Sequence, residues 1–305
     1  MVAVVKSSQR PGIGSESRGP LRRAGWIAVI GWAGLIAGAV VVGLLSEPDR
    51  RLKLGNVPPF IGHARLVPPT RWVLPVAAAG LLIAALPGMA QRWPWRRLLA
   101  GCWLAAAGWA VVLAATDGWS RLCSPLETPW EYRSTLPALS RGVGPFLQNF
   151  TTALPTYSIH TQGHPPGPVL VLDGLTRLGL TGAGWEAVLV IAAGSSAVAA
   201  VAIVVRVFAD EATGRRALPF LVLAPTALWV ATSMDAFFLG VTAWGVALLA
   251  SADRSRWLAL GAGLLLGAGL YLSYGLLAMG PLAIAATSGP SPYWSGGSGR
   301  RGRAG

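Results

Sequence analysis

Two of the chain's three histidines stand four residues apart in the segment YSIHTQGHPPG, residues 157–167, directly before a proline pair. Pro165 and Pro166 fix the backbone near extended geometry and aim His164, whose imidazole could pair with a phosphate or orient a hydroxyl. A four-residue spacing would put His160 and His164 on one face of a helix, as a zinc pair requires. Gly163 and Pro165 argue against a helix there, and no third ligand has a fixed spacing, so no metal is assigned. Upstream lie two carboxylates suited to general-base work, Asp117 and Glu131. Asp117 follows a long apolar run, where desolvation raises a carboxyl's pKa and a nearby arginine lowers it. Glu131, followed by Tyr132, is the alternative base. Each residue also has a plainer reading: a solvated acid at a helix end, a loop junction, or an aromatic seated among lipid headgroups.

The elements that must position these groups are membrane helices. Hydrophobic residues make up 53% of the chain and charged residues 12%, and the apolar residues come in long runs without a polar face. Runs at 26–45, 73–90, 98–116 and 185–205 can each cross about 30 Å of hydrocarbon at about 1.5 Å per residue. Two further blocks read as helical hairpins, 217–250 turning at 232–235 and 257–287 turning near Ser273. The expected fold is an all-α, polytopic membrane bundle of about eight transmembrane helices, with one long extracytoplasmic loop carrying an interfacial helix.

Basic residues are retained on the cytoplasmic side of a membrane. With the N-terminus inside, most of the 25 Lys and Arg residues fall on that side, including the groups around Arg22, Arg96, Arg215, Arg256 and Arg301. The loop at 46–72 fits the rule badly, but the reverse orientation fits worse. The expectation is a multi-pass cell-membrane protein with a cytoplasmic N-terminus. The formal charge of +13 is then a topogenic signal with attraction to anionic lipid, and no soluble basic module exists to bind nucleic acid.

Residues 1–24 read as a disordered, basic cytoplasmic segment, and 25–97 as two N-terminal spans. Residues 98–287 form the main membrane domain, with an outer loop at 117–184, and 288–305 are a low-complexity Gly, Ser and Arg tail. No leader cleavage pattern stands out. Cys102 lies in a span and Cys123 in the loop, so no disulfide joins them. The outer connection is far longer than structureless loops usually are, which marks it as functional or as carrying its own helices. After the prolines, 169–180 reads as an amphipathic interfacial helix with an Asp173 to Arg177 pair.

An acid at the outer end of a span, a long outer loop, a Pro-Pro segment, an interfacial helix, a span ending in basic residues at 206–216 and an acid opening the next helix at Asp235 together resemble the GT-C class of integral-membrane glycosyltransferases. The nearest group is the protein-mannosyltransferase-like enzymes that use polyprenyl-phosphate sugars. The glycines of 261–269 followed by Ser273, Tyr274 and Gly275 also resemble the Gly-rich short hairpin of that class. The similarity covers roughly 98–287. It implies a sugar moved from a polyprenyl-phosphate carrier to an acceptor hydroxyl on the extracytoplasmic face, with Asp117, or Glu131 in its place, as base. It implies further that Tyr132, His160, Gln162, His164 and Asp235 bind substrate, with membrane lipid and the lipid-linked donor as partners and no cofactor. The family's hairpin lysine is replaced by Ser273 and Tyr274. The tail after 288 carries the expectation of a truncated or frameshifted relative. Two readings stand beside it: a transporter or flippase-like protein, disfavoured by span centres almost free of charge, and a non-catalytic scaffold whose glycines serve helix packing.

Overall fold

The computed structural model describes residues 19–46, 68–119 and 122–288, and within them every regular element is helical. The chain divides into two units, Met1–Val67 and Pro68–Gly305. Helix α1 (Gly19–Ser46) represents the first, and begins inside the segment expected to lack structure. The loop at 47–67, where basic residues sat awkwardly for the topology, and the tail at 289–305 lie outside the described residues.

In the second unit the long helices are α2 (Val73–Arg92), α3 (Trp95–Ala114) and α7 (Ala183–Phe208). With α1, these are the four helices long and apolar enough to cross a bilayer. Shorter elements stand between them: α4 (Val143–Asn149), α5 (Ile159–Gln162) and α6 (Gly167–Arg177). After α7 come α8 (Glu211–Val222), the single turn α9 (Ala227–Val230), α10 (Met234–Ala250), α11 (Arg256–Leu272) and α12 (Gly280–Ser288). The apolar helices α10, α11 and 274–287 have 17 residues or fewer.

The expected hairpin at 217–250 is present in altered form. Its first limb is the 12-residue α8; the chain then breaks at 223–226 around Pro225, makes the single turn α9 and breaks again at 231–233 before α10 starts. Proline disfavours helical geometry in the residue before it, and the break is where the limb changes direction. Thr232 lies in the second break with φ 75°, a strained conformation for a β-branched residue. Ser233 then caps α10 by accepting the Asp235 N–H, which fixes Asp235 in the first turn. The second hairpin breaks at Ser273, as its sequence suggests, and continues as a 3-10 turn over Tyr274–Met279.

Helix α7 is the hub, packed by α3, α8 and α10. Its contact with α10 runs through small residues: a Cβ on Gly240 would lie 2.4 Å from the Ala193 carbonyl oxygen, and one on Gly194 would lie 2.7 Å from the Ala236 Cβ. Small residues let helix backbones close in where lipid supplies no hydrophobic drive between helices. Two indoles add interhelical hydrogen bonds, Trp103 Nε1 donating to the Ala192 carbonyl and Trp244 Nε1 to Ser196 Oγ, both at 2.9 Å.

Gly240→Ala should therefore destabilise the protein by roughly 1–3 kcal/mol, as overpacking does. Gly108→Ala, on a helix position with nothing within 4 Å of the added methyl, should leave the protein as stable or slightly more so. Thermal midpoints of both variants in one detergent check the pair.

Candidate functional site

The loop between α3 and α7 folds into a cap of short helical turns over the first turns of α7. Its floor is apolar: Leu126, Tyr132, Leu139, Phe146 and Phe150 join Val169, Leu172, Ala187 and Val190 in one buried cluster. Phe146, Phe150 and Tyr157 stack with centroids 5.4 to 5.8 Å apart. These burials explain why a long polar connection takes one shape.

Two polar ties hold the cap. The first is a triangle of hydroxyls: Thr135 Oγ1 lies 3.1 Å from Ser158 Oγ and 3.0 Å from Thr161 Oγ1, and the last two are 2.9 Å apart. Three hydroxyls can each donate to the next, so the ring satisfies itself inside the protein. Ser158 also caps α5, which carries His160. The second tie is the ion pair of Arg133 with Glu186 in α7, 2.6 Å long, the Glu186 side chain only 6% exposed. A buried carboxylate needs a partner of this kind.

The cap gathers five of the seven residues expected at the site. Tyr132 is 3% exposed, and its ring meets His160, His164 and Phe238 edge-on at 5.7, 5.5 and 6.4 Å. Its hydroxyl finds no hydrogen-bond partner among the described residues. Burial, then the charges of Asp235 and Glu131, push the phenol well above its usual range. Glu131 Oε1 stands 3.9 Å from His160 Nε2. Burial pushes the Glu131 carboxyl up, and nearby Asp235 adds to this; His160, His164 and the Tyr132 N–H act the other way. Asp235 is thus close enough to be felt by both Glu131 and Tyr132.

The expected absence of helix between His160 and His164 is corrected in one respect: Ile159–Gln162 forms a single turn. That turn lets His164 Nδ1–H donate to the His160 carbonyl at 2.8 Å. A carbonyl can only accept, so the proton is fixed on Nδ1 and Nε2 is the free ring nitrogen. His160 is placed by its own backbone N–H, which donates to the Trp130 carbonyl at 3.1 Å. Among the described residues no group of three metal-ligating side chains stands close enough to hold an ion.

Gln162 does not join the cluster. It is exposed, and its amide donates to the Tyr157 carbonyl at 2.8 Å. Asp117 closes the 3-10 turn Ala115–Asp117, and the placement of its side chain lies outside what the structure describes. Sequence reading missed Glu186, hidden in an apolar run, and Phe238. An isolated acid in the first turn of a span was the signal for Glu186, and only the fold pairs it with Arg133. The expected Asp173 to Arg177 pair forms at 2.6 Å, within α6.

Beneath the cluster an apolar groove of about 790 Å³ runs between α7, α10 and the 273–286 segment. Asp235, Phe238 and Ser273 line one part of it, while Val204, Val246 and Leu282 supply apolar wall. Since Phe238 touches both Tyr132 and His164, the polar cluster and the groove share a wall.

No family model, curated protein or solved structure matches this chain.

Arg133→Met should destabilise the protein by about 2 kcal/mol, a value reduced for the partial exposure of Arg133, because Glu186 is left buried and unpaired. The double variant Arg133→Met/Glu186→Leu should recover most of the loss, and a double-mutant cycle on unfolding midpoints measures it. Glu131→Gln should act in the other direction. A carboxyl whose folded pKa is raised loses stability as pH climbs from the ordinary carboxylate range through the raised value. The Gln variant should be the more stable protein at neutral pH, with its advantage fading as pH falls to about 4. Thermal melts across pH read this directly.

Proposed function

We propose that the protein is a membrane glycosyltransferase that moves a sugar from a polyprenyl-phosphate carrier to an acceptor hydroxyl on the extracytoplasmic face. The observation that carries this reading is the junction at Phe238. There a cluster of carboxylate, imidazole and phenol meets an apolar groove large enough for a branched lipid tail. A substrate that is polar at one end and a long hydrocarbon at the other fits both halves.

The four long apolar helices, with α10, α11, the 274–287 segment and the broken limb of α8 and α9, compose an eight-span arrangement with the N-terminus cytoplasmic. This puts the cap and its cluster on the outer side. The carrier's tail lies along α10 in the groove, and its phosphate rests near His160 and His164. When protonated, their ring nitrogens can donate to phosphate oxygens.

Glu131 is the base favoured by this geometry. Its carboxylate takes the proton of the acceptor hydroxyl as that oxygen attacks the anomeric carbon. The bond from that carbon to the phosphate oxygen breaks, its electron pair stays with the phosphate, and the carrier leaves as polyprenyl phosphate. A carboxyl raised by burial holds a proton more firmly than a solvated one, which makes the conjugate carboxylate a better base near neutral pH. Asp235 and the Tyr132 hydroxyl orient the acceptor.

Purified protein in lipid nanodiscs, given radiolabelled polyprenyl-phosphate hexose and membrane glycolipid acceptors, tests this. Glu131→Gln should lower transfer by about 10²-fold or more, and the wild-type rate should fall as pH drops through the raised pKa of Glu131. Transfer at full rate in Glu131→Gln would remove Glu131 as the base. Uptake of the carrier into proteoliposomes without any glycosyl product would replace the enzyme reading with transport.

A further inference from the structure

The opposite end of the bundle from the cap carries a second concentration of charge, at the turn joining α2 to α3 and the start of α8. Arg92 ends α2, Arg96 and Arg97 open α3, and Arg206, Arg215 and Arg216 come from the end of α7 and the start of α8. Among the described residues, Glu211 faces Arg206 and Arg215, and Asp210 faces Arg216.

Part of this charge is built into the fold. Glu211 pairs with Arg206 at 2.9 Å and Arg215 at 2.7 Å. Arg215 also donates to the Ala90 and Trp93 carbonyls, both at 2.9 Å, satisfying groups that the end of α2 leaves open. Trp95 lies beside both guanidiniums, 4.9 Å from Arg206 and 5.7 Å from Arg215. Asp210 accepts the Thr213 N–H at 2.6 Å as the cap of α8, and that bond, helped by Arg216, holds its carboxyl below the usual range.

The remaining arginines are not used in this way. Arg92, Arg96 and Arg97 are exposed and have no carboxylate partner among the described residues. Arg216 is also exposed, and among the described residues it donates to the Thr213 hydroxyl alone. Arg92, Arg96 and Arg97 at the α2–α3 turn and Arg216 on α8 are like charges that repel one another, and among the described residues Asp210 is the acid that offsets Arg216. The same end bears exposed aromatic rings, Trp93 at 41% and Phe208 at 46%, which border the charge with surface suited to the zone where lipid tails meet headgroups.

We propose that this face binds the phosphodiester headgroups of anionic phospholipids, with Arg92, Arg96, Arg97 and Arg216 as the contacting residues. Guanidinium forks match phosphate oxygens in pairs. The frame of Arg215, Glu211 and Trp95 holds the turn so that little ordering is needed on binding. The site is separate from the glycosyl-transfer reading and does not depend on it. A soluble phosphate compound presents the same chemistry, and the experiment separates the two sources.

Full-length protein in neutral detergent is titrated with phosphatidylglycerol or phosphatidylcholine and read by native mass spectrometry. Wild type should retain phosphatidylglycerol over phosphatidylcholine. Arg92→Gln/Arg96→Gln/Arg97→Gln should weaken phosphatidylglycerol retention on the order of 100-fold and leave phosphatidylcholine unchanged. The corresponding Arg→Lys triple variant, which keeps the charge, should retain most of the binding. Should the Gln triple variant fail to fold, the single variants should each give a partial loss. Equal retention of both lipids by wild type, or undiminished phosphatidylglycerol binding in the Gln variants, overturns the proposal. Displacement of the lipid by equimolar glycerol phosphate would also overturn it, in favour of a soluble phosphate ligand.

Discussion

The close approach of α7 and α10 at Gly194 and Gly240 governs the arrangement of everything above it. Two helices can meet this tightly only where a glycine on one faces a residue as small as alanine on the other, and the contact fixes how far along α7 the shorter α10 begins. Ala236, in the second residue pair of α10, meets Gly194, which lies eleven residues into α7, about 16 Å from its start. The first turns of α7 lie ahead of that contact. The cap lies over them, and its apolar floor and the Arg133 to Glu186 pair are the means by which it is held there. Asp235 and Phe238 consequently meet Tyr132 because of where two glycines sit in the middle of the bundle.

The same geometry accounts for the electrostatics of the cluster. Tyr132 is buried because α10 presents Phe238 to its ring, while Asp235, one turn earlier, faces the space beside Glu131. Burial raises the Glu131 carboxyl, and the two imidazoles temper that rise without cancelling it. A fully solvated carboxylate at this point would be a weaker base, and a fully buried one without imidazoles would stay protonated.

Much of the architecture was legible in the sequence because the bilayer demands long apolar runs. The spans at 73–90, 98–116 and 185–205 reappear as α2, α3 and α7 with ends moved by a few residues, and the break at Ser273 stands where its glycine-flanked polar residues put it. Glu131, Tyr132, His160, His164 and Asp235 were recognisable as chemistry by residue type alone. Their convergence was not, because it joins positions more than a hundred residues apart through a helix contact between small residues, which carry no periodic signal. Gln162 shows the converse: standing between two site histidines, it turned instead to the nearest open carbonyl, Tyr157, five residues back.

The helical turn between the histidines shows why local rules failed where they did. Gly163 and Pro165 argue correctly against a continued helix, and α5 stops at Gln162. A single turn needs less than a helix does. It needs a cap, which Ser158 supplies, and an anchor from outside, which the Thr135 hydroxyl and the Trp130 carbonyl supply. Isolated turns are unstable because nucleation fixes several dihedrals for one hydrogen bond. Tertiary contacts twenty or more residues away remove that penalty, and they are what set His164 Nδ1 on the His160 carbonyl. The orientation of the His164 imidazole, which touches the groove-lining Phe238, is therefore a property of the folded cap, with the proline pair limiting the backbone and the hydroxyl triangle choosing among what the prolines allow.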